Sequence, residues 1–132
     1  MSHMDTALSL ARRSLGAVSP NPSVGAVVVK GGIAVGEGCT QPPGREHAEI
    51  MALQEAGVRS EGATLYSTLE PCNHRGRTPP CTAAIVRAGI SEVRVATLDP
   101  NPKVAGGGVQ ALEEAGVRVR VGESEKRARL LM

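Results

Sequence analysis

Apolar positions alternate along the chain between a helical spacing and short β-branched runs. Ala7, Leu8, Ala11 and Leu15 recur on one helical face while Arg12 and Arg13 point away, so residues 6–15 predict an amphipathic helix with Asp5 as its N-cap. Pro20-Asn21-Pro22 then breaks the pattern, because each proline drives the residue before it out of helical conformation. Residues 24–30 form a nearly continuous β-branched strand, Gly31-Gly32 supplies a hairpin turn, and residues 33–39 return as a second strand. A loop covers residues 41–45. Residues 46–56 read as a helix that is apolar on several sides, as a mostly buried helix is, with Gly57 as its C-terminal cap.

The same alternation continues to the last residue. Residues 63–69 predict a third strand. Thr78-Pro79-Pro80 is a helix start, with threonine as N-cap and proline in the first turn, and Ala84, Ile85 and Ala88 form the inner stripe before Gly89. A fourth strand covers 92–98, a helix 107–115 ends at Gly116, a fifth strand covers 117–121, and 123–132 has helical composition. Strands alternating with helices after an opening hairpin predict an α/β domain with a mixed sheet and helices on its faces.

The length of 132 residues fits one domain, and a hydrophobic content of 41% suits a folded protein rather than a disordered one. Phe and Trp are absent and Tyr66 is the only aromatic residue, so the core is built from aliphatic side chains. That composition also removes the stacking platforms used to bind single-stranded nucleic acid, and a net charge of +2 is too small to imply a polyanion partner. No apolar run is long enough to span a bilayer and the N-terminus lacks the sections of a signal peptide, so the expectation is a cytoplasmic protein without a membrane partner. Three cysteines, an odd number, do not make a disulfide framework, and a reducing compartment suits a thiolate metal site. Cys39 reads as a small buried residue in a strand. Residues 1–4 resemble a vector remnant, which sets His3 aside and leaves 5–132 as the domain.

His47-Ala48-Glu49, Pro71-Cys72 and Cys81 carry the chemistry. One imidazole and two thiols are the usual ligands of a catalytic zinc ion with an open fourth position. A glutamate two residues after the histidine, with Pro-Cys and a second cysteine downstream, matches the signature of zinc deaminases, in which the glutamate moves protons and is not a ligand. Eight residues separate Cys72 from Cys81 where many such enzymes have two, and the inserted Asn-His-Arg-Gly-Arg-Thr-Pro-Pro is expected to form part of a substrate pocket. His47 and Cys81 fall in first turns of predicted helices, where partial positive charge favours a thiolate, and Cys72 follows the third strand. Asp99-Pro100-Asn101-Pro102 follows the fourth strand, at the same edge of the sheet, where open α/β sheets bind ligands. Glu49 does not share a helical face with His47, which frees it to take a proton from water, pass it to a substrate ring nitrogen and protonate the leaving amine.

Taken singly, each of these residues is more often structural or solvated; their joint order at predicted element ends makes the case. There is no nucleophile elbow of the Gly-x-Ser-x-Gly kind and no Walker-type loop. Gly106-Gly107-Gly108 reads as a flexible turn before it reads as a phosphate cradle. Arg45, Arg75, Arg77 and Lys103 lie on the loops around the site and suit an anionic substrate.

Residues 20–29, His47-Ala48-Glu49, residues 68–81 and Asp99-Pro100-Asn101-Pro102 resemble the deaminase domain of bacterial riboflavin-biosynthesis proteins, from about Asp5 onward. The resemblance implies a three-layer αβα cytidine-deaminase-like fold with a five-stranded mixed sheet. It implies hydrolytic removal of one amino group from diaminohydroxyphosphoribosylaminopyrimidine, a small phosphorylated pyrimidine, with release of ammonia. Position by position, His47, Cys72 and Cys81 would bind one zinc per chain and Glu49 would shuttle protons. Asn21 and the backbone at Ala48 would contact the pyrimidine, and His74, Arg77, Asp99 and Asn101 the ribose phosphate. Thr40 stands where the family usually has histidine and is counted with the substrate contacts; Glu46 stands where proline is frequent. Family members usually carry a reductase domain after the deaminase, so a fused or separate reductase and a homo-oligomer are the expected partners. No NADPH is expected for this chain alone, whether it is a stand-alone deaminase or an excised domain. A deaminase of the same fold acting on another base, nucleoside or nucleotide remains the alternative, and a structural-zinc module without catalysis is a third reading.

Overall fold

The computed structural model describes residues 2–14, 23–41, 45, 47–73 and 80–131. Its elements run α1 (His3–Arg13), β1 (Gly25–Lys30), β2 (Ile33–Cys39), α2 (Ala48–Ala56), a 3-10 turn (Gly57–Ser60), β3 (Thr64–Leu69), α3 (Cys81–Arg87), β4 (Glu92–Thr97), α4 (Gly107–Glu114), β5 (Arg118–Val121) and α5 (Glu125–Arg129). The five strands make one mixed sheet in the order β2-β1-β3-β4-β5. β1 pairs antiparallel with β2 and with β3, whereas β3, β4 and β5 run parallel. The hairpin closes through Gly31 and Gly32 at φ 58° and 80°, two left-handed residues in succession that glycine adopts without a Cβ penalty.

Helices cover both faces of the sheet, which explains why β1 is buried along nearly its whole length. On one face α2, α3 and α4 bring Ala52, Leu53, Ile85 and Leu112 onto Val28, Leu65, Val93 and Val95. On the other, Met4, Ala7, Leu8 and Ala11 of α1 and Ala128 of α5 pack on Val27, Val29 and Ala96. Arg127 of α5 donates to Asp5 of α1 at 2.5 Å, which joins the two helices of that layer. The three-layer α/β architecture expected from the sequence is therefore the observed one.

Several helix ends differ from expectation. α1 begins at His3, with Ser2 as N-cap: the Ser2 hydroxyl accepts from the Asp5 N–H at 3.0 Å while the Asp5 carboxylate accepts from the Ser2 N–H at 3.0 Å. Asp5 is thus the reciprocal partner in a capping box, three residues inside the helix, and not the cap. Met4 is fully buried, and the His3 ring lies 5.4 Å from Tyr66, so the segment set aside as a remnant packs into the fold. α5 spans five residues, fewer than its composition suggested. α3 begins at Cys81 with Pro80 as its N-cap, so the proline precedes the first turn and the cap is not Thr78 as expected. The Pro20-Asn21-Pro22 break lies outside the described residues.

Several glycines are required by close packing. A Cβ on Gly25 would fall 1.8 Å from the Ala7 carbonyl oxygen, so α1 rests directly on β1. Gly36 and Gly38, two apart and therefore on one face of β2, do the same for α2: a Cβ would meet the Ala52 and Ala48 carbonyl oxygens at 2.1 and 2.2 Å.

Candidate metal and proton-transfer site

The sheet topology brings four segments to one edge. Gly25 pairs with Cys39, Ala26 with Ser67, and Leu69 with Thr97, so the start of β1 and the ends of β2, β3 and β4 share that edge. Additional bonds hold it: the Thr68 hydroxyl accepts from the Gly25 N–H at 3.1 Å, and the Glu70 N–H donates to the Thr97 carbonyl at 3.0 Å. α2 and α3 present their first turns here.

His47 is the N-cap of α2 and is exposed, not a first-turn residue as expected, and Glu49 lies in the first turn. Cys81 is the first residue of α3 and is buried; Cys72 lies in the segment between β3 and α3. The Cys81 Sγ is 3.1 Å and the Cys72 Sγ 3.8 Å from His47 Nδ1, and all three ligand atoms lie within 4.8 Å of one another. The Cys81 N–H points at Cys72 Sγ at 3.3 Å, and the Thr82 N–H donates to the Cys72 carbonyl at 3.2 Å, so the start of α3 orients the Cys72 loop. Thr82 also donates its hydroxyl to Asn73 Oδ1 at 2.8 Å.

The electrostatics follow from this geometry. A hydrogen bond from the Cys81 thiol, helped by His47, pulls the Cys72 thiol down to about 4. The same bond and burial push Cys81 up, and the bond to Cys72 raises His47. One nitrogen and two sulfurs thus converge around shared protons, which is where a divalent cation would sit, holding both sulfurs as thiolates. Among the described residues this is the group of His, Cys, Asp and Glu side chains able to hold a metal ion, and its donor set and spacing fit zinc. Burial raises the Glu49 carboxyl to about 7, a value matched to moving protons near neutral pH.

A cavity of about 540 Å³ opens beside Cys72, with Asn73, Asp99, Lys103, Gly107 and Gln110 among its walls. Asp99 is therefore placed next to the metal-ligand segment, and Lys103 joins it. Asn101 is exposed on the same loop and does not line this cavity; its side chain accepts from the Lys103 N–H at 3.0 Å. Asp99 Oδ1 accepts from the Asn101 N–H at 2.9 Å. Thr40 follows β2 at this same edge of the sheet. Its hydroxyl accepts from the Val24 N–H at 2.7 Å and lies 3.3 Å from the Val24 carbonyl, and its own N–H donates to that carbonyl at 2.9 Å. It fastens the entry to β1. Ala48 is buried at the start of α2. Asn21, His74, Arg75 and Arg77 lie outside the described residues.

Glu70 was quoted in the motif without a role, and the structure supplies one. Only 5% exposed, its carboxylate accepts from the N–H groups of Asp99 and Gly106 on one oxygen, at 3.1 and 3.0 Å, and of Val109 on the other at 2.9 Å. The glycine-rich start of α4 is thus capped by an internal carboxylate, which takes the N–H groups of Gly106 and Val109. No local signal in the sequence pairs Glu70 with amides some 36 residues away.

Comparison with known proteins agrees with this geometry. Residues 1–97 match the family described as the cytidine and deoxycytidylate deaminase zinc-binding region. The riboflavin biosynthesis protein RibD of Aquifex aeolicus is 58% identical over 98% of this chain, which spans 36% of that protein. The diaminohydroxyphosphoribosylamino-pyrimidine deaminase of Buchnera aphidicola subsp. Acyrthosiphon pisum is 44% identical, and the match covers 96% of this chain and 86% of the relative. A solved structure from Thermotoga maritima, described as a diaminohydroxyphosphoribosylaminopyrimidine deaminase/5-amino-6-(5-phosphoribosylamino)uracil reductase, superposes with a TM-score of 0.91 at 46% identity over 97% of this chain and 37% of its own. The chain thus spans about a third of the longer relatives. Among the described residues no helix is long and apolar enough to cross a membrane.

Proposed function

The chain belongs to the cytidine and deoxycytidylate deaminase family, and from that premise we propose that it deaminates diaminohydroxyphosphoribosylaminopyrimidine by hydrolysis, as a step toward riboflavin. The observation that carries the reading is Glu49: a buried carboxylate, near neutral in pKa, in the first turn of the helix whose N-cap histidine meets two cysteine sulfurs. High identity over most of a relative named for this deamination supports the choice of substrate.

In this reading His47, Cys72 and Cys81 hold one zinc ion. Bound there, zinc supplies a Lewis acid that makes water nucleophilic near neutral pH. Glu49 accepts a proton from the attacking water and delivers it to the pyrimidine ring nitrogen beside the reacting carbon. Glu49 then takes the remaining proton from the hydroxyl now on the carbon and passes it to the exocyclic nitrogen; the C–N bond breaks, ammonia leaves, and the carbon keeps the oxygen as a carbonyl. Burial serves this cycle, because it keeps the carboxylate basic enough to take the proton and acidic enough to return it. Asn21 and the main chain at Ala48 are assigned to the pyrimidine. His74, Arg77, Asp99 and Asn101 are assigned to the ribose phosphate, with Arg77 offering a planar fork of donors to phosphate oxygens. Thr40 is assigned to the same contact set, held in place by its bonds to Val24. A structural-zinc module is disfavoured by the three ligands, instead of four, among the described residues and by the carboxylate buried beside them. A reductase, which would use the product, is the expected partner in the pathway.

Ammonia release by the zinc-loaded protein tests the proposal, with the phosphorylated diaminopyrimidine set against its dephosphorylated form, cytidine, guanine and adenosine. Preference for the phosphorylated compound by at least tenfold in kcat/KM is expected. Preference for any of the other bases would assign the chain to a different substrate.

A further inference from the structure

The proton chemistry leaves the buried carboxylate of Glu70, beside the metal-ligand segment, unused. Glu70 directly precedes Pro71-Cys72, and its main chain and side chain are both committed: the N–H to Thr97 and the two oxygens to three amides. Those amides belong to two structures that form one wall of the cavity, the turn after β4 and the first turn of α4. Between them residues 99–105 form a run of turns closed on themselves, in which Asn101 accepts from the N–H groups of Lys103, Val104 and Ala105. Among the described residues, the hydrogen bonds that tie 99–109 to the segment between β3 and α3 all end on Glu70. Gly108 permits the approach, since a Cβ there would fall 2.1 Å from the Pro71 carbonyl oxygen and 3.1 Å from Glu70 Cγ. A fixed negative charge at the first turn of α4 also suits the partial positive charge of that helix end.

We propose that Glu70 is a positioning residue that sets substrate specificity: it holds the Asp99 turn and the start of α4 in fixed spacing from Cys72, so that the ribose-phosphate end of the substrate is gripped at the right distance from the reacting carbon. The proposal rests on the deaminase reading above. Glu70 acts through the loop and moves no proton itself. It joins one ligand segment of the metal site to the wall that faces the far end of the substrate. Loss of the anchor therefore acts on the discrimination between phosphorylated and dephosphorylated substrate more than on the chemical step. A residue with a merely structural role would change turnover of both compounds alike.

Glu70→Gln is the informative variant. It keeps the shape and one accepting oxygen but turns an NH2 donor toward a backbone N–H, which thereby loses its acceptor. Zinc content and circular dichroism should stay at wild-type values, kcat should change less than threefold, and KM for the phosphorylated compound should rise about tenfold. The ratio of kcat/KM between phosphorylated and dephosphorylated compounds should fall at least fivefold. Amide hydrogen exchange at Asp99, Gly106 and Val109 should accelerate at least tenfold. Glu70→Ala removes every acceptor and should exceed Glu70→Gln in each effect; if it does not fold, Glu70→Gln decides. An unchanged substrate ratio in a folded Glu70→Gln protein overturns the specificity role, and unchanged exchange at the three amides overturns the anchor. A wild-type protein inactive on both compounds would defeat the deaminase reading, and the exchange measurement would still decide whether Glu70 holds the loop.

Discussion

Substituting Gly38 by alanine places one methyl group between β2 and the helix that carries His47 and Glu49. The added Cβ would stand 2.2 Å from the Ala48 carbonyl oxygen, 2.8 Å from Met51 Cβ and 3.0 Å from the Ala52 nitrogen. Two of the three atoms are backbone, so no side chain can swing aside. Relief to ordinary contact, which begins at 3.4 Å, moves the first turn of α2 outward by roughly an ångström. Overpacking of this kind costs about 1–3 kcal/mol, which for a domain of this size lowers Tm by roughly 5–15 °C. The functional loss is larger in proportion. A displacement of about 1 Å between reacting groups can cost about a hundredfold in rate, and the turn displaced here is the one that holds Glu49. Gly36→Ala provides the comparison, because its Cβ meets the Ala52 carbonyl at 2.1 Å, one turn further from the site. It should lose a similar amount of stability and much less activity. Thermal unfolding followed by circular dichroism, zinc content, and ammonia release per zinc-loaded site give the three readouts. A Gly38→Ala protein with wild-type Tm and kcat/KM within threefold of wild type would show that α2 does not depend on the missing side chain.

Glu49→Gln should keep fold and zinc and lose about a hundred- to ten-thousand-fold in kcat, the usual range for a general acid–base; more than about a tenth of wild-type turnover would give the protons to another group. Metal analysis should find one zinc per chain, lost from Cys72→Ser and Cys81→Ser alike, and full retention in both would reject the ligand set. Acid stability has a defined sign. The Asp5 carboxyl is lowered from 3.8 to about 2 by its bonds to Ser2 and Arg127, and a hydrogen bond from Arg94 lowers Glu92. Depressed folded values contribute stability that is complete above the unfolded pKa of about 4 and lost as pH falls toward 2. The urea midpoint should therefore drop less steeply across that window in an Asp5→Asn, Glu92→Gln double variant, and identical slopes would refute the linkage.

Strands were the most legible part of this chain. β2 runs from Ile33 to Cys39 as the residue pattern predicts, since Gly31-Gly32 turns the chain back from the valine-rich run of β1. Helix ends were harder, for separate reasons. The Ser-x-x-Asp capping box at residues 2–5 is local and readable, but setting residues 1–4 aside concealed it. α5 has helix-forming composition without end signals, and composition alone does not set length. Within the site, the zinc ligands and Glu49 could be found because metal chemistry restricts residue types and their order. The roles of Glu70, Gly36 and Gly38 and the bond from Thr40 to Val24 could not be read, because each involves backbone atoms far away in sequence. A hydroxyl that fastens Val24, a carboxylate that caps α4 and an absent methyl that seats α2 leave no periodicity to detect.

Tyr66 gives the protein an unusual optical simplicity. It is the single tyrosine, and tryptophan and phenylalanine are absent, so near-ultraviolet absorption and intrinsic fluorescence arise from one ring. That ring is on β3, 5.4 Å from the His3 ring and 5.7 Å from the Arg94 guanidinium carbon, and it packs on the α1 layer. The zinc ligands and Glu49 belong to the opposite layer, with α2 and α3. Tyrosine emission therefore reports the docking of α1 on the sheet, while a thiolate-to-metal signal reports the other face. Loosening of the two helical layers can thus be timed independently in one unlabelled sample.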